Sequence, residues 1–152
     1  MKSLLSIRDS NKKEIMDLIS LTKKIKTQPQ RYANKLEDKN IAILLEKPST
    51  RTRVSFEVGI NRLGGSPIIL HWNELQLGSG ETIEDTARVL EKYCDMIIAR
   101  VYSHDDLIRM SNVTSIPIVN SLSDLEHPCQ ILSDLFTIYE HFGTLKDLKL
   151  AY

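Results

Sequence analysis

The sequence lacks the features that mark several large classes of protein. No apolar run approaches the roughly twenty residues that a membrane-spanning helix needs. The N-terminus has no continuous apolar segment and meets charge at Arg8 and Asp9, which excludes a secretory signal. Twenty basic residues balance twenty acidic ones, so nothing attracts nucleic acid or an anionic membrane in general. These absences predict a soluble, cytoplasmic protein.

Metal and nucleotide motifs are also missing. Cys94 and Cys129 lie too far apart for a metal-binding knuckle, so we interpret them as reduced thiols, Cys94 buried on a helix and Cys129 beside a motif. No other His, Cys, Asp or Glu spacing fits a metal site. The sequence contains no P-loop, no G-x-G-x-x-G and no nucleophile elbow. It therefore predicts no metal and no cofactor.

Short apolar runs alternate with amphipathic segments along a chain of 152 residues, 41% of them apolar. The runs predict four strands, at residues 41–45, 67–71, 96–99 and 116–119. Helical spacing predicts helices that begin near Asn11, Thr52, Thr82, His104 and Pro128. This alternation predicts a three-layer α/β/α fold around a central, mainly parallel sheet.

Local signals refine some of these helices. Asn11 with Glu14, and Thr82 with Asp85, are typical of helix N-termini, and the pair Gly64-Gly65 predicts a helix end. The helix from Thr52 carries two apolar stripes, which predicts that it is covered on two sides; the stripes are Phe56, Ile60 and Leu63, and Val54 and Val58.

Hydrogen-bond donors are dense in the stretch Ser49-Thr50-Arg51-Thr52-Arg53, directly after the first strand. A helix N-terminus favours an anion through its free N–H groups and its dipole, and an arginine can bind two oxygens at once. A single Ser or Thr there would be only a helix cap. The density of donors instead favours a phosphate site.

Two further strand ends carry polar groups. Arg100 follows the third strand, and His127 with Gln130 begins the last helix. Alone, such an arginine usually reaches solvent and such a histidine is usually structural. However, ligands of open α/β sheets collect beyond the carboxyl ends of the strands, where these stretches meet. Together they predict electrophilic activation of a small phosphate ester or anhydride without a metal.

Three motifs resemble those of the aspartate and ornithine carbamoyltransferases. They are the carbamoyl-phosphate signature at residues 46–57, the mobile loop at residues 76–82 and the His-Pro-Cys-Gln signature at residues 127–130. The similarity spans nearly the whole chain. Cys129 is typical of ornithine members, whereas aspartate members carry Thr at that position. Gln76 stands where ornithine members place a loop glutamine. Ser79 occupies the position of the loop lysine of aspartate members.

The resemblance implies transfer of a carbamoyl group from carbamoyl phosphate to the δ-amine of L-ornithine, giving citrulline and phosphate in arginine biosynthesis or catabolism. Thr52, Arg100 and His127 would polarise the carbonyl and stabilise the oxyanion. Gln130 would orient the carbamoyl –NH₂, and Arg53 would form only a structural ion pair. The phosphate would be held by Ser49, Thr50, Arg51 and Thr52, with Gln76 arriving from an adjacent subunit of a homotrimer or a multiple of trimers.

The resemblance also implies two domains. Residues 1–147 would form the carbamoyl-phosphate-binding domain, and residues 148–152, which resemble the opening of another strand, would start a truncated amino-acid-binding domain. The 152 residues alone would then turn over nothing. Aspartate or another amine as acceptor remains an alternative, as does a non-catalytic phosphate-binding module.

Overall fold

Four parallel strands form one sheet in the computed structural model of the chain, which describes residues 3–76 and 80–151. The strands are β1 (Asn40–Leu45), β2 (Ser66–His71), β3 (Met96–Arg100) and β4 (Ile118–Leu122). The α-helices are α1 (Lys12–Thr27), α2 (Thr50–Arg62), α3 (Ile83–Glu91), α4 (His104–Val113) and α5 (Pro128–Phe142). Short 3₁₀ turns lie at Ile7–Asp9, Pro29–Tyr32 and Trp72–Glu74.

The strand order is β2-β1-β3-β4, so the chain leaves β1 in one direction and later returns to its other side. Every pairing is parallel, with Leu45 opposite both His71 and Arg100. The order therefore switches between β1 and β3, which is where open α/β sheets bind ligands. The predicted α/β fold with a mainly parallel sheet is confirmed.

Apolar side chains cover both faces of the sheet. On one face, Ala42, Leu44, Ile97 and Ala99 pack against α3 and α4, and on the other Ile41, Ile43, Leu45 and Ile98 pack against α2. Helix α5 packs on β4, and α1 packs on α5. Because residues of both faces are buried, β1 and β3 are continuous apolar runs rather than alternating ones.

The predicted helix caps are present. Asn11 Oδ1 accepts from the Glu14 N–H and Glu14 Oε2 accepts from the Asn11 N–H, which completes the capping box of α1. Thr82 Oγ1 accepts from the Asp85 N–H at the start of α3. Gly64, with φ +86°, ends α2 in the left-handed region, as the pair Gly64-Gly65 predicted.

Three sequence predictions about this fold are wrong. Strand β4 was predicted at residues 116–119 but runs from Ile118 to Leu122. The polar Asn120 can lie inside this strand because its buried side chain donates a hydrogen bond to the Leu5 carbonyl. Cys94 is buried but follows α3, which ends at Glu91. Val54 and Val58 are 50% and 43% exposed, so α2 is covered on one side only among the described residues.

The two ends of the described chain differ. Leu4 extends the sheet by pairing with Val119, since its N–H donates to the Ile118 carbonyl and its carbonyl accepts from the Asn120 N–H. Residues 148–151 form neither helix nor strand, so the predicted opening of another strand is not seen.

No helix within residues 3–76 and 80–151 combines the length and apolar character needed to cross a membrane.

Two glycines of the α2 region give a matched test of this backbone. A Cβ on Gly64 would lie 2.7 Å from the Ala33 carbonyl oxygen at a positive φ, whereas a Cβ on Gly59 would meet nothing within 4 Å. We expect Gly64→Ala to lower the free energy of unfolding by at least about 1–2 kcal/mol. Gly59→Ala should raise it by about 0.5–1 kcal/mol, because alanine loses less entropy in a helix. Denaturant titrations measure both; equal effects would contradict the turn described here.

Candidate functional site

A cavity of about 600 Å³ opens at the carboxyl ends of β3 and β4, beside the start of α2. The strand order switches at this edge, and the first turns of α2 and α5 both contribute to the wall. The N-termini of two helices therefore face one space, which favours an anion there. The lining residues are Ser49, Arg51, Thr52, Ser55, Phe56, Arg100, Leu122, His127, Cys129, Gln130 and Ser133.

Thr52 connects the two walls of this cavity. Arg100 Nη1 donates to Thr52 Oγ1 at 3.1 Å, across 48 residues of sequence. Ser49 is the N-cap of α2: its Oγ accepts from the Thr52 N–H at 3.3 Å and lies 3.0 Å from Thr52 Oγ1. The buried Thr52 hydroxyl is thus held between a helix cap and the last residue of β3.

Arg100 still has a buried donor to satisfy. Its Nε is buried and finds no acceptor among the residues that the structure describes. Burial, and then the positive charge of Arg51, lower the pKa of the Arg100 guanidinium from its ordinary value. An arginine stays protonated under such shifts, so Arg100 presents a charged donor that an anionic ligand would neutralise.

His127 is the N-cap of α5, and its tautomer follows from its partner. The Nδ1 atom accepts from the Gln130 N–H at 3.3 Å, which leaves the ring proton on Nε2. Burial, and then the charge of Arg100, lower the pKa of His127, whereas Asp134 acts to raise it. The imidazole is therefore neutral at pH 7, with an N–H on Nε2 available as a donor.

Gln130 and Cys129 complete the α5 wall. Gln130 Nε2 donates to Asp134 Oδ1 at 2.8 Å, one turn further along the helix. Cys129 Sγ donates to the Asn120 carbonyl at 3.3 Å, and burial raises the pKa of the thiol to about 11. Since a nucleophilic cysteine must be a thiolate, Cys129 serves as packing in this wall rather than as a nucleophile.

A second, larger cavity of about 900 Å³ lies on the other side of the α2 N-terminus. Its lining includes three carboxylates, from Glu46, Glu57 and Glu74, and one arginine, Arg53. Among the described residues, no carboxylate lines the smaller cavity. A doubly charged anion therefore fits the smaller cavity and is repelled by the larger one.

The structure brings most of the predicted site residues together. Ser49, Arg51, Thr52, Arg100, His127 and Gln130 all line the smaller cavity. Thr50 lines the larger cavity instead, although it lies next to Arg51 at the start of α2. Arg53 pairs with Glu57 at 3.7 Å, as the structural interpretation of that arginine predicted.

The predicted mobile loop is only partly visible. Gln76 is exposed and lines neither cavity, while Leu77, Gly78 and Ser79 lie outside the described residues. Sequence reasoning missed Asp134, the partner of Gln130. The spacing of four residues on a helix was the signal that could have found it.

The donors at this cavity suit two tasks. Arg51 and the α2 N-terminus can bind a phosphate, and Arg100 and the Nε2–H of His127 can stabilise a negative oxygen that develops on a carbonyl beside it. Within residues 3–76 and 80–151, no three His, Cys, Asp or Glu side chains lie close enough together to hold a metal ion. The chemistry of the described donors is thus that of an oxyanion site.

Comparisons with known proteins identify similar chains. Residues 2–140 match the sequence profile of the "Aspartate/ornithine carbamoyltransferase, carbamoyl-P binding domain". The ornithine carbamoyltransferase of Listeria innocua is 48% identical over 151 residues, which are 99% of this chain and 48% of that protein. The chain thus spans about half the length of the curated relatives that it matches.

Solved structures show the same similarity. The ornithine carbamoyltransferase from Pyrococcus furiosus superposes with a TM-score of 0.90 at 45% identity, over 95% of this chain and 47% of that one. The aspartate transcarbamoylase from Trypanosoma cruzi, solved with carbamoyl phosphate and aspartate, superposes with a TM-score of 0.87 at 30% identity. The matched region covers 94% of this chain and 48% of the aspartate transcarbamoylase chain.

The pKa of His127 tests the electrostatics of the site. We expect NMR titration of the histidine ring signals, assigned with His127→Gln, to give a midpoint below the ordinary value of about 6.5. Arg100→Gln should raise the midpoint because it removes a positive charge, and Asp134→Asn should lower it because it removes a negative one. Because the pKa of His127 is lower in the folded chain than in the unfolded one, protonation of this histidine should lower the free energy of unfolding as the pH falls below about 6.5. A midpoint above the ordinary value would contradict the described surroundings.

Proposed function

We propose that this protein acts in carbamoyl transfer, because the chain belongs to the aspartate/ornithine carbamoyltransferase family. The proposed reaction moves the carbamoyl group of carbamoyl phosphate to the δ-amine of L-ornithine and gives citrulline and phosphate. The curated relatives named ornithine carbamoyltransferase support this acceptor at 44–48% identity, whereas the aspartate transcarbamoylase neighbour is 30% identical. Ornithine is therefore preferred to aspartate.

The observation that carries the proposal is the cavity that holds two arginines without a lining carboxylate among the described residues. The phosphate of carbamoyl phosphate would lie at the α2 N-terminus against Arg51, because that end combines a guanidinium with a helix dipole. Ser49 and Thr52 would add hydroxyl donors. Thr50 and Gln76 remain part of the proposed phosphate site, although neither lines this cavity.

The carbonyl of the ligand would lie between β3 and α5. Attack of the δ-amine on the carbonyl carbon forms a tetrahedral intermediate whose oxygen carries the negative charge. Arg100, Thr52 and the Nε2–H of His127 would donate to that oxygen. The carbonyl would then re-form as the C–O bond breaks, and the departing phosphate would take the proton that the attacking amine loses. Each donor of this kind contributes about 2.7–4 kcal/mol to the transition state. Gln130 would accept from the carbamoyl –NH₂.

A non-catalytic phosphate-binding module is the rival proposal. Binding phosphate requires Arg51 and the α2 N-terminus, but it gives no role to Arg100, whose guanidinium lines the cavity beside Thr52, or to His127 with its proton on Nε2. The Arg100 guanidinium and the Nε2–H of His127 would instead suit an oxygen on the carbon next to the phosphate. Carbamoyl transfer is therefore the better supported function.

Several finer features belong to the same proposal. Residues 1–147 would form the carbamoyl-phosphate-binding domain, and residues 148–152 would begin the amino-acid-binding domain. The protein would be cytoplasmic and would serve arginine metabolism, since citrulline is its product. It would act as a homotrimer or a multiple of trimers, with Gln76 reaching the site of an adjacent subunit.

Two arginines offer a matched test of ligand binding. Phosphonoacetamide is a stable analogue of carbamoyl phosphate in which CH₂ replaces the bridging oxygen. We expect Arg51→Ala to weaken its binding by about tenfold to a hundredfold, since a hydrogen bond to a charged group is lost. Arg53→Ala removes the same charge from the same helix but lies in the other cavity, so it should change the affinity little.

NMR titration of the 152-residue chain measures both dissociation constants, including weak ones. Equal losses in the two variants would mean that the ligand responds only to net charge. An unmodified chain whose Arg100 and His127 signals do not respond to the ligand would contradict the proposed function.

Turnover gives a separate prediction. The 152 residues span about half the length of their relatives. In the proposed division of the site, the ornithine-binding groups belong to the second domain. We therefore expect these 152 residues alone to bind carbamoyl phosphate weakly and to form no citrulline. A colorimetric citrulline assay with ornithine and carbamoyl phosphate, against a blank without protein, measures this. Clear turnover would contradict the proposed division of the site.

A further inference from the structure

The amide of Gln130 has two ends of opposite chemistry, and which end faces the cavity decides what the site can recognise. The Oε1 atom accepts hydrogen bonds, whereas the Nε2 group donates them. An accepting end suits the –NH₂ of a carbamoyl group, and a donating end would meet that –NH₂ with a second donor. The two ends can exchange by a half-turn of the side chain.

Asp134 removes this ambiguity. Its Oδ1 lies 2.8 Å from Gln130 Nε2, and a carboxylate at neutral pH can only accept. The partner of Asp134 must therefore be the –NH₂ end of Gln130. Gln130 lines the cavity, but Asp134, one turn further along α5, does not. With Nε2 held by Asp134, Oε1 is the end of the amide that can accept from a ligand in the cavity.

We propose that Asp134 is a positioning residue that makes the site selective for a carbonyl compound bearing –NH₂ over one bearing a methyl group. It acts through Gln130, by holding its Oε1 toward the ligand. The inference rests on the proposed function and adds to it the residue that distinguishes a carbamoyl phosphate from an acyl phosphate. A site built to pair with a polar group rejects the analogue that lacks it.

The size of the effect is moderate because both side chains are exposed in this chain. Water can replace either partner, so the hydrogen bond between Gln130 and the ligand is worth only its net contribution. We expect a preference of about fivefold to tenfold for the ligand with –NH₂.

Two stable ligands isolate this preference. Phosphonoacetamide and 2-oxopropylphosphonate carry the same phosphonate and a carbonyl at the same position, next to –NH₂ in the first and –CH₃ in the second. The amide oxygen is also the stronger acceptor, so the ratio measured in Gln130→Ala serves as the baseline. The ratio of their dissociation constants, measured by NMR titration of the 152-residue chain, cancels any change in phosphonate binding. Any effect of the Asp134 charge on His127 is measured separately by Asp134→Ala in the Gln130→Ala background.

Variants of α5 then identify the residue responsible. Asp134→Ala should bring the ratio close to that of Gln130→Ala, and Asp134→Glu should restore part of the preference because a carboxylate is again within reach of Gln130. Glu140→Gln is the matched control: it removes a carboxylate from the same helix, where Glu140 pairs with Lys26 at 2.8 Å, away from the cavity. It should leave the ratio unchanged.

A double-mutant cycle shows whether Asp134 acts through Gln130. Gln130→Ala should lower the preference to the baseline set by the two carbonyl oxygens, and adding Asp134→Ala to it should change the ratio no further. Retained binding of inorganic phosphate confirms that each variant is folded at the site.

The outcomes separate this inference from the proposed function. If neither phosphonate shifts the signals of Arg100 and His127, the proposed function fails and the inference with it. If both bind, but the unmodified chain shows no preference or Asp134→Ala keeps it, only the inference is overturned. A further effect of Asp134→Ala in the Gln130→Ala background would also overturn it, because Asp134 would then act by another route.

Discussion

The hydrogen bond from Arg100 Nη1 to Thr52 Oγ1 joins the end of β3 to the first turn of α2. The two elements are neighbours because β3 pairs with β1, which leads directly into α2. The bond fixes the guanidinium beside a helix N-terminus, with its Nε buried and without an acceptor among the described residues. The rest of the site is arranged around this contact.

The charges around that contact explain why the site suits an anion. Arg51 and Arg100 are close enough for the first to lower the pKa of the second, and burial lowers it further. The α2 and α5 N-termini add positive potential, and no carboxylate lines the smaller cavity among the described residues. An anion bound there relieves the repulsion between the arginines. Donors fixed before the ligand arrives need little reorganisation during the reaction.

Much of this fold could be predicted from local sequence. The capping box of Asn11 and Glu14 and the turn at Gly64 depend on neighbouring residues, so pattern rules found them. The bounds of β4 could not be found in this way. Asn120 is polar, and only its contact with the distant Leu5 carbonyl allows it to lie inside the sheet.

The site residues were likewise predictable from the sequence only in part. Rules about strand ends and helix N-termini placed Arg51, Arg100 and His127 at one edge of the sheet, since topology alone brings those positions together. The same rules could not separate Arg51 from Thr50, which are adjacent in α2 but line different cavities. They also gave no tautomer for His127, because that depends on its contact with the Gln130 N–H.

A crystal structure of the chain with phosphonoacetamide tests the central claim most directly. The account predicts the phosphonate against Arg51 and the α2 N-terminus, with the carbonyl oxygen about 3 Å from both Arg100 and His127 Nε2. A phosphonate bound elsewhere, or a carbonyl that touches neither Arg100 nor His127, would contradict the assignment of this cavity as the carbamoyl-phosphate site.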